Sequence, residues 1–417
     1  MKIKAIRGTK DILPVEIASW RFIEKKAAQL AEDYGYRQIR TPILEEERLF
    51  YRSVGSGSDI VRKQMYSLSR IGQRRLCLRP EATASVVRAY LEHGLDKNHG
   101  LAKFYYLGPM FRAERPQAGR LRQFHHIGVE AIGSASPYLD AEVIDLAAEI
   151  LRTINIKDFE LQINSIGCLK DRQAYKKIIH SRLKARLSRL CADCKRRYKT
   201  NILRIFDCKN QSCKKIVAEL PTITDYLCAE CNRHFTQVKD NLGLLGLPFS
   251  LNPHLVRGLD YYSKTCFEIV HPCLGAQSAL GAGGRYDNLV GDLGGESRPA
   301  IGFALGIERL IRARQSCEIK KEERKSSLLV YVAVVGEGPK QTAVKVVADL
   351  RKQGIASEID YLDKSLKGQL RLADRLGAKF TAILGEDELA KGVITLRNMQ
   401  TKNQREVAIE HLSREIR

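Results

Sequence analysis

The chain has 417 residues and a mass of 47.1 kDa, a length that predicts two or three domains with several apolar cores. Lysine and arginine outnumber aspartate and glutamate by 70 to 48, and the net charge of +22 favours a polyanionic partner such as nucleic acid, although a merely basic surface gives the same count. The eleven cysteines are odd in number and sparse, which excludes a small secreted disulfide scaffold and favours reduced thiols.

Neither the amino terminus nor the longer apolar stretches indicate a membrane or an export route. Residues 1–16 lack the apolar core of a signal peptide. The uncharged residues 241–256 contain two prolines and are too short to span a bilayer. We therefore expect a soluble cytoplasmic protein with no membrane partner.

Three regions of different composition follow one another along the first three quarters of the chain. Helix-like periods such as residues 17–34 alternate with strand-like runs such as residues 103–107 and 159–163, which predicts a mixed α and β region. Residues 165–240 contain 18 basic and 7 acidic side chains, so half of the net charge lies in about a fifth of the chain, as expected for an inserted basic module. Strand-like residues 264–270 and a helix from Gly306 onward indicate that the first core then resumes.

The last quarter of the chain predicts a separate α/β domain behind a charged linker, residues 318–325. The apolar run at residues 328–336 is short enough for a buried strand. Helix-like and strand-like segments then alternate, at residues 342–353, 356–359, 366–376 and 380–384. Neither a P-loop nor a convincing dinucleotide-binding glycine motif is present in the sequence, so any ATP chemistry needs another scaffold.

The most informative segment is MFRAERPQAGRLRQFHHIGVE, residues 110–130, which predicts a strand, a loop and a second strand. It crowds together four arginines, Arg112, Arg115, Arg120 and Arg122. Four guanidinium groups repel one another unless an anion lies among them, and their forked donors suit phosphate oxygens. The alternative is a solvated edge hairpin whose charges block strand pairing.

Several motifs occur in the order found in class II aminoacyl-tRNA synthetases of the histidyl type. FRAE with RPQAGRLRQFH resembles the second class signature, GFALGIERL the third, and YRQIRTPILEE, with Pro42, the first. The segments LVRGLDYYSKTCFE and GAGGRYDNLV are similar to the two histidine-specific signatures, and RGTKDILP and RPEATA also match. The resemblance covers essentially the full length of the chain.

This resemblance implies an α+β fold and an ATP-dependent ligase. The expected architecture is the antiparallel sheet of class II synthetases flanked by helices, in a core at residues 1–324 that is interrupted by a basic insertion at residues 168–243. An α/β anticodon-binding domain at residues 325–417 is expected to follow. The family forms homodimers through the first signature and loads histidine onto histidine tRNA by way of histidyl-adenylate. The alternatives are a noncatalytic synthetase-like regulatory subunit of histidine biosynthesis and a generic nucleic-acid-binding module.

For ATP with Mg²⁺, the resemblance implies a site built from arginines and glycines, namely Arg112, Arg120, Arg257, Gly302, Gly306 and Arg309. Attack of an ionised carboxylate on the α-phosphorus needs no general base, so positioning and charge neutralisation dominate. Arg112 and Arg257 are the expected catalytic residues at the α-phosphate, and Arg309 would bind the γ-phosphate end. The alternative for Arg257 is a structural ion pair with Asp260. The two glycines would let the adenosine approach the backbone.

For histidine, the resemblance implies the residues Glu81, Ala82, Thr83, His126, Glu130, Tyr261 and Tyr262. Glu81 and Thr83 match the positions that bind the α-ammonium group. Glu130 and the two tyrosines match the imidazole side, where they would leave apolar amino acids unpaired. Because adjacent strand residues face opposite sides, we expect at least one tyrosine to be partly a core residue.

His126 departs from the family pattern, which usually has glutamine at this position. A neutral imidazole keeps one donor and one acceptor, so the contact with substrate can be retained. Substrate affinity is then expected to depend on pH near the ordinary imidazole pKa of about 6.5.

Two further sets of residues concern the tRNA and a metal. Arg115 and Gln117 occupy the loop that reads the extra 5′ guanosine of histidine tRNA in the family. The insertion contains six clustered cysteines, Cys191, Cys194, Cys208, Cys213, Cys228 and Cys231. Any four of them could form a structural zinc site in a basic ribbon, although ordinary reduced cysteines are favoured because the implied mechanism needs no zinc.

Overall fold

The computed structural model describes residues 3–55, 58, 60–68, 72, 74–97, 100–116, 119–256, 258–317 and 329–416. The chain forms two compact units, Met1–Ile319 and Lys320–Arg417. Among the described residues, the helices all fall short of the length and apolar character needed to cross a membrane.

The first unit contains both strands and helices. Its strands are β1 (Arg37–Gln38), β2 (Leu44–Glu46), β3 (Tyr66–Ser67), β4 (Leu76–Leu78), β5 (Ala102–Phe111), β6 (Gln123–Ile132), β7 (Glu160–Ser165), β8 (Ser250–Leu251), β9 (Ser263–Val270), β10 (Ala279–Arg285) and β11 (Ala300–Gly306). Its helices are α1 (Pro14–Asp33), α2 (Glu47–Ser53), α3 (Thr83–Glu92), α4 (Pro137–Thr153), α5 (Leu169–Lys184), α6 (Ala192–Thr200), α7 (Gln211–Ala218), α8 (Ala229–Leu244), α9 (Leu289–Asp292) and α10 (Ile307–Ser316). Short 3₁₀ helices include Ile202–Ile205 and Ile223–Tyr226.

An eight-stranded sheet organises this unit, in the order β1-β5-β6-β11-β10-β9-β7-β8. The strands from β5 to β7 in this order pair antiparallel, whereas the two edge strands β1 and β8 pair parallel to their neighbours. Apolar side chains of α1, α4, α8 and α10 pack on the sheet in one continuous core. The sheet is therefore covered by helices, and its long central strands place side chains at fixed intervals.

The insertion between β7 and β8 is helical throughout, from α5 to α8. The alternative of a zinc ribbon therefore does not apply, because a ribbon is built from strands. Its apolar residues, among them Ile179, Leu183 and Ile205, join a second core that also contains Tyr261 and Tyr262. The insertion is thus packed against the segment that precedes β9.

The second unit has its own five-stranded sheet and flanking helices. The strands, in the sheet order β13-β12-β14-β15-β16, are β12 (Val330–Val334), β13 (Ser357–Ile359), β14 (Phe380–Leu384), β15 (Val393–Asn398) and β16 (Gln404–Ala408). The helices are α11 (Lys340–Lys352), α12 (Leu366–Leu376), α13 (Glu386–Lys391) and α14 (Leu412–Ile416). Alternate residues of β12 pack on opposite faces, Val330 and Val332 with α11 and Tyr331 and Ala333 with α12. This alternation explains the uninterrupted apolar run in the sequence.

Candidate active site

The central sheet carries a cavity of about 240 Å³. Most of the residues singled out in the sequence line it, namely Glu81, Thr83, Arg112, Arg120, His126, Glu130, Tyr261, Tyr262, Gly302, Gly306 and Arg309. Their sequence separation exceeds 200 positions, so it is the strand order that brings them together. One cavity therefore combines buried carboxylates with several guanidinium groups.

Strand pairing sets the positions of the two central polar residues, His126 and Glu130. Both lie on β6 four residues apart, so they face the same side of the sheet. In the pairing of β6 with β11, Glu130 lies opposite Gly302 and His126 opposite Gly306. Each polar side chain thus stands beside a position without a side chain.

Gly302 leaves the space that the Glu130 carboxylate occupies. A Cβ at Gly302 would lie 2.0 Å from Oε2 of Glu130 and 2.3 Å from the carbonyl oxygen of Val129. At Gly306 the corresponding approach is ordinary, 3.6 Å from the side chain of Arg309. The two glycines of the third signature therefore have different structural roles.

Glu130 is held by three hydroxyl groups in the floor of the cavity. Oε1 accepts hydrogen bonds from Thr83 Oγ1 at 2.6 Å and from the hydroxyl of Tyr106 at 3.4 Å. Oε2 accepts one from the hydroxyl of Tyr286 at 2.5 Å. Burial nevertheless raises the pKa of Glu130 to about 8, and the nearby Glu81 carboxylate acts in the same direction. The site can thus take up or release a proton at this carboxyl group near neutral pH.

Glu81 is a second buried carboxylate, at the start of α3. Its oxygens accept hydrogen bonds from the backbone N–H groups of Thr83 at 2.6 Å and Ala84 at 3.0 Å. These bonds cap the helix and partly offset the burial that raises the pKa of Glu81. Ala82 is buried between them and does not line the cavity. Two carboxylates at one end of a cavity provide a site for a cation.

Three arginines line the same cavity from separate elements. Arg112 follows β5, Arg120 lies in the loop before β6, and Arg309 lies on α10. Burial lowers the pKa of Arg120 and of Arg309, and the charge of Arg112 lowers both further. The positive charge of Arg120 is partly neutralised by an ion pair with Glu114. Charges of one sign at this spacing favour a bound polyanion.

Backbone carbonyl groups fix the orientation of two of these arginines. Arg309 donates from Nη1 to the carbonyl oxygen of Ala279 at 2.6 Å and from Nε to that of Gly119 at 3.1 Å. Arg112 donates from Nε to the carbonyl oxygen of Pro80 at 2.9 Å. The guanidinium groups are therefore positioned before any ligand arrives.

His126 lies in a strongly cationic environment. Burial lowers its pKa well below the ordinary value, and so do the charges of Arg112, Arg309 and Arg79. Its Nδ1 is buried without a hydrogen-bond partner among the described residues. The expected pH dependence near 6.5 is therefore corrected, because the imidazole titrates at more acid pH and is neutral under physiological conditions.

Tyr261 and Tyr262 precede β9 instead of lying on it. Tyr261 is in a turn, and strand pairing begins only at Ser263. Both rings line the cavity, with their centroids 4.8 Å apart, and both are also packed in the second core. The alternation expected of strand residues thus does not separate them.

The remaining predicted residues are Arg257, Gln117 and Arg115. Arg257 and Gln117 are outside the residues that the structure describes. Arg115 is exposed and lines a separate groove with Arg7 and Lys63. Arg120 borders this groove as well as the cavity, so the two are adjacent.

Sequence reasoning missed five polar residues that line the cavity, Tyr106, Glu114, Glu268, Tyr286 and Glu308. Tyr286 and Glu268 belong to the histidine-specific signatures, and their place in these motifs could have identified them as candidate site residues. Tyr106 gave no signal beyond its place in a predicted strand.

The structure divides the six candidate cysteines into two groups. Cys191, Cys194, Cys208 and Cys213 lie together. The remaining two, Cys228 and Cys231, lie instead with Cys168 and Asp171, which sequence reasoning did not consider.

Comparison with known proteins gives consistent matches over the whole chain. Residues 8–310 match the family model described as histidyl-tRNA synthetase, and residues 329–417 match that of an anticodon binding domain. The chain is 49% identical to a histidine–tRNA ligase of Moorella thermoacetica, over 97% of this chain and 95% of that protein. It is 48% identical to that of Halothermothrix orenii, over 100% and 99%. The crystal structure of apo histidyl-tRNA synthetase of S. aureus superposes with a TM-score of 0.83, at 38% identity and full coverage of both chains.

Proposed function

The chain belongs to the histidyl-tRNA synthetase family, and from that premise we propose that it activates L-histidine with ATP and transfers it to the 3′ end of histidine tRNA. The observation that carries the proposal is the single cavity that combines the carboxylates of Glu81 and Glu130 with Arg112, Arg120 and Arg309. A zwitterionic amino acid and a polyphosphate are the ligands that such a cavity neutralises.

The synthetase is favoured over the regulatory subunit by the relatives as well as by the site. Proteins almost half identical to the chain over nearly its full length are named histidine–tRNA ligase. Arg112, Arg120 and Arg309, which are expected at the phosphates, line the cavity. The chain also contains an anticodon-binding domain at residues 329–417. A generic nucleic-acid-binding module would not explain the buried carboxylates of Glu81 and Glu130, because carboxylates do not bind phosphates.

Histidine binds at the floor of the cavity. The α-ammonium group lies against Glu81 and Thr83, and the imidazole ring lies between Glu130 and the two tyrosines, Tyr261 and Tyr262. His126, neutral at physiological pH, adds one donor and one acceptor to the same surface. Rejection of apolar amino acids follows because these buried polar groups would be left unpaired.

Activation is an in-line attack by the histidine carboxylate on the α-phosphorus of ATP. The new bond joins a carboxylate oxygen to phosphorus, and the bond from that phosphorus to the pyrophosphate oxygen breaks. Arg112 neutralises charge at the α-phosphate, Arg120 assists it, and Arg309 binds the γ-phosphate end. Arg257, by the family pattern, adds a second charge at the reacting phosphorus. Positioned cations supply most of the rate enhancement in such a reaction.

Mg²⁺ fits this cavity because carboxylate oxygens lie beside the arginines. Glu308 is already held by the backbone N–H group of His125 at 3.0 Å. Glu114, which also pairs with Arg120, and Glu268 line the cavity as well, and these three carboxylates are the side chains that would hold Mg²⁺. The ion supplies charge neutralisation at the phosphate oxygens when it is bound.

Transfer to tRNA uses the groove next to the cavity. A ribose hydroxyl of the terminal adenosine attacks the carbonyl carbon of the adenylate and gives its proton to a phosphate oxygen of the adenylate. An ester bond forms, and AMP leaves with the electrons of the broken anhydride bond. Arg115, Arg7 and Lys63 place positive charge along the path of the acceptor end. Gln117 belongs to the same proposed contact, and the second unit binds the anticodon.

We further assign the enzyme to the cytoplasm as a homodimer. The first signature presents an exposed apolar strip, Pro42, Ile43 and Leu44, of the kind that a subunit interface covers. A monomer by light scattering at micromolar concentration would contradict the dimer.

The function is tested by ATP–pyrophosphate exchange with each of the twenty amino acids, followed by charging of histidine tRNA with and without its extra 5′ guanosine. We expect exchange with histidine alone and charging that depends on the guanosine. The absence of exchange from a folded sample would overturn the proposal and restore the regulatory subunit as the leading account.

A further inference from the structure

Four thiols of the insertion form a compact group away from the cavity. The sulfur atoms of Cys191, Cys194, Cys208 and Cys213 all lie within 4.8 Å of one another, and those of Cys191 and Cys208 are 3.8 Å apart. Tetrahedral coordination with zinc–sulfur bonds of about 2.3 Å places sulfurs roughly 3.8 Å apart along each edge. A disulfide would need about 2.05 Å. The spacing is too long for a disulfide and fits four ligands around one ion.

Backbone N–H groups donate to two of these sulfurs. The N–H group of Cys194 donates to Sγ of Cys191 at 3.5 Å, and the N–H group of Cys191 donates to Sγ of Cys213 at 3.3 Å. Through the first of these bonds, Cys191 caps the amino terminus of α6. Amide donors and a helix amino terminus stabilise the negative charge of a thiolate ligand.

The neighbouring group of Cys168, Asp171, Cys228 and Cys231 differs in containing a carboxylate in place of a fourth thiol. The Asp171 carboxylate already accepts hydrogen bonds from the backbone N–H groups of Cys168 and Cys228, each at 3.2 Å. It thereby joins the starts of α5 and α8 without any metal. Cys228 is also exposed. This second group provides an internal control for the first.

We propose that Cys191, Cys194, Cys208 and Cys213 bind one structural Zn²⁺ ion as four thiolates. Zinc is the divalent ion that such a closed sulfur tetrahedron suits, with no open position for catalysis. The surplus of positive charge in residues 165–240 offsets the two negative charges that four thiolates leave on the ion.

The ion fixes a segment that supports the active site. Between Cys194 and Cys208, Asn201 donates from Nδ2 to Oδ1 of Asp260 at 2.8 Å, and Arg204 donates from Nη1 to the carbonyl oxygen of Gly258 at 3.3 Å. Gly258 and Asp260 belong to the loop that leads into Tyr261 and Tyr262. The zinc thus acts as a positioning element for the histidine-binding tyrosines.

Metal analysis of the full chain, produced with zinc in the medium and purified without chelator, tests the proposal. We expect about one zinc per chain, and X-ray absorption with four sulfur ligands at about 2.3 Å. The double variant Cys191→Ser/Cys194→Ser should lose the metal, while the matched double variant Cys228→Ser/Cys231→Ser should keep it. Both pairs begin a helix, and serine at the first position retains a helix cap, which makes their folding comparable.

Three results would overturn the proposal. The first is wild-type protein with less than about 0.2 zinc per chain, the level of adventitious metal. The second is a disulfide between any two of the four cysteines in freshly purified protein. The third is zinc that survives the first double variant and disappears in the second. The X-ray absorption of the wild type decides the ligand set even if a variant fails to fold.

Discussion

The hydroxyl group of Tyr286 donates a hydrogen bond to Oε2 of Glu130 across 2.5 Å, and both side chains are almost completely buried. Thr83 and Tyr106 bind the other carboxylate oxygen. Glu130 is thereby fixed in one orientation before substrate arrives. Burial raises the pKa of Glu130, and the same hydrogen bonds lower it. The hydroxyl groups therefore influence both the geometry and the charge of the pocket.

Replacing Tyr286→Phe removes one of these donors and keeps the ring. We expect the KM for histidine to rise about ten- to a hundredfold, since a hydrogen bond to a charged group contributes about 1.5–3 kcal/mol. The KM for ATP should change little. Steady-state pyrophosphate exchange measures both, and Tyr138→Phe, at an exposed tyrosine of α4, is the control. An unchanged KM for histidine would contradict this role.

Histidine binding should release a proton from Glu130. The pKa of Glu130 is raised to about 8 in the free protein, so the group is mostly protonated at pH 7. The imidazole N–H group that faces Glu130 in the proposed complex donates to a carboxylate better than to a protonated carboxyl group, so affinity should rise as the pH approaches 8 and level off above it. Calorimetry at pH 7 in buffers of different ionisation enthalpy should give roughly 0.9 protons released per histidine. Glu130→Gln should abolish the release, and its absence in the wild type would refute the mechanism.

The variant His126→Gln, which restores the usual family residue, should have nearly the wild-type pH profile. Protonated His126 would repel the substrate ammonium group. Because the pKa of His126 lies well below 6.5, the resulting loss of histidine affinity should occur only at more acid pH. The ratio of histidine dissociation constants for the two proteins should stay within about threefold between pH 6 and 8. A wild-type loss of affinity near pH 6.5 that the variant lacks would show that the imidazole titrates there.

Arg309→Gln should weaken ATP binding selectively. Its guanidinium group is held by two backbone carbonyls and faces the cavity with Arg112 and Arg120, so a charged contact to phosphate is lost. We expect the KM for ATP to rise at least about tenfold, with histidine affinity unchanged. The control Arg312→Gln changes an exposed arginine on the same helix. Equal effects of the two variants would exclude a specific phosphate contact.

The sequence predicted those parts of the fold and site whose signals are local. Hydrophobic periodicity placed α1, β12 and α12 to within a few residues. Charge crowding pointed to four arginines, of which Arg112 and Arg120 line the cavity. Such signals need no knowledge of distant neighbours.

Features that depend on the pairing of distant strands and helices could not be predicted from the sequence. Tyr106 reaches Glu130 only through the register of β5 with β6. The grouping of Cys168 with Cys228 depends on how α5 and α8 start beside each other. Gly302 could be noticed in a motif, but the atom that fills its space could not be known before the pairing of β6 with β11.

Gly302→Ala should therefore damage stability and histidine binding together. The new methyl group would lie 2.0 Å from Oε2 of Glu130 and 2.3 Å from the backbone oxygen of Val129, and the backbone cannot move away cheaply inside a central strand. Overpacking of this kind costs about 1–3 kcal/mol. Denaturant unfolding and the KM for histidine should both report the change. Gly243→Ala, at an exposed position of α8 where a methyl group meets nothing within 4 Å, should leave the KM unchanged and stabilise the helix by up to about 1 kcal/mol. If Gly302→Ala behaved like this control, Glu130 would have room to move, and the rigid pocket inferred from its hydroxyl partners would be wrong.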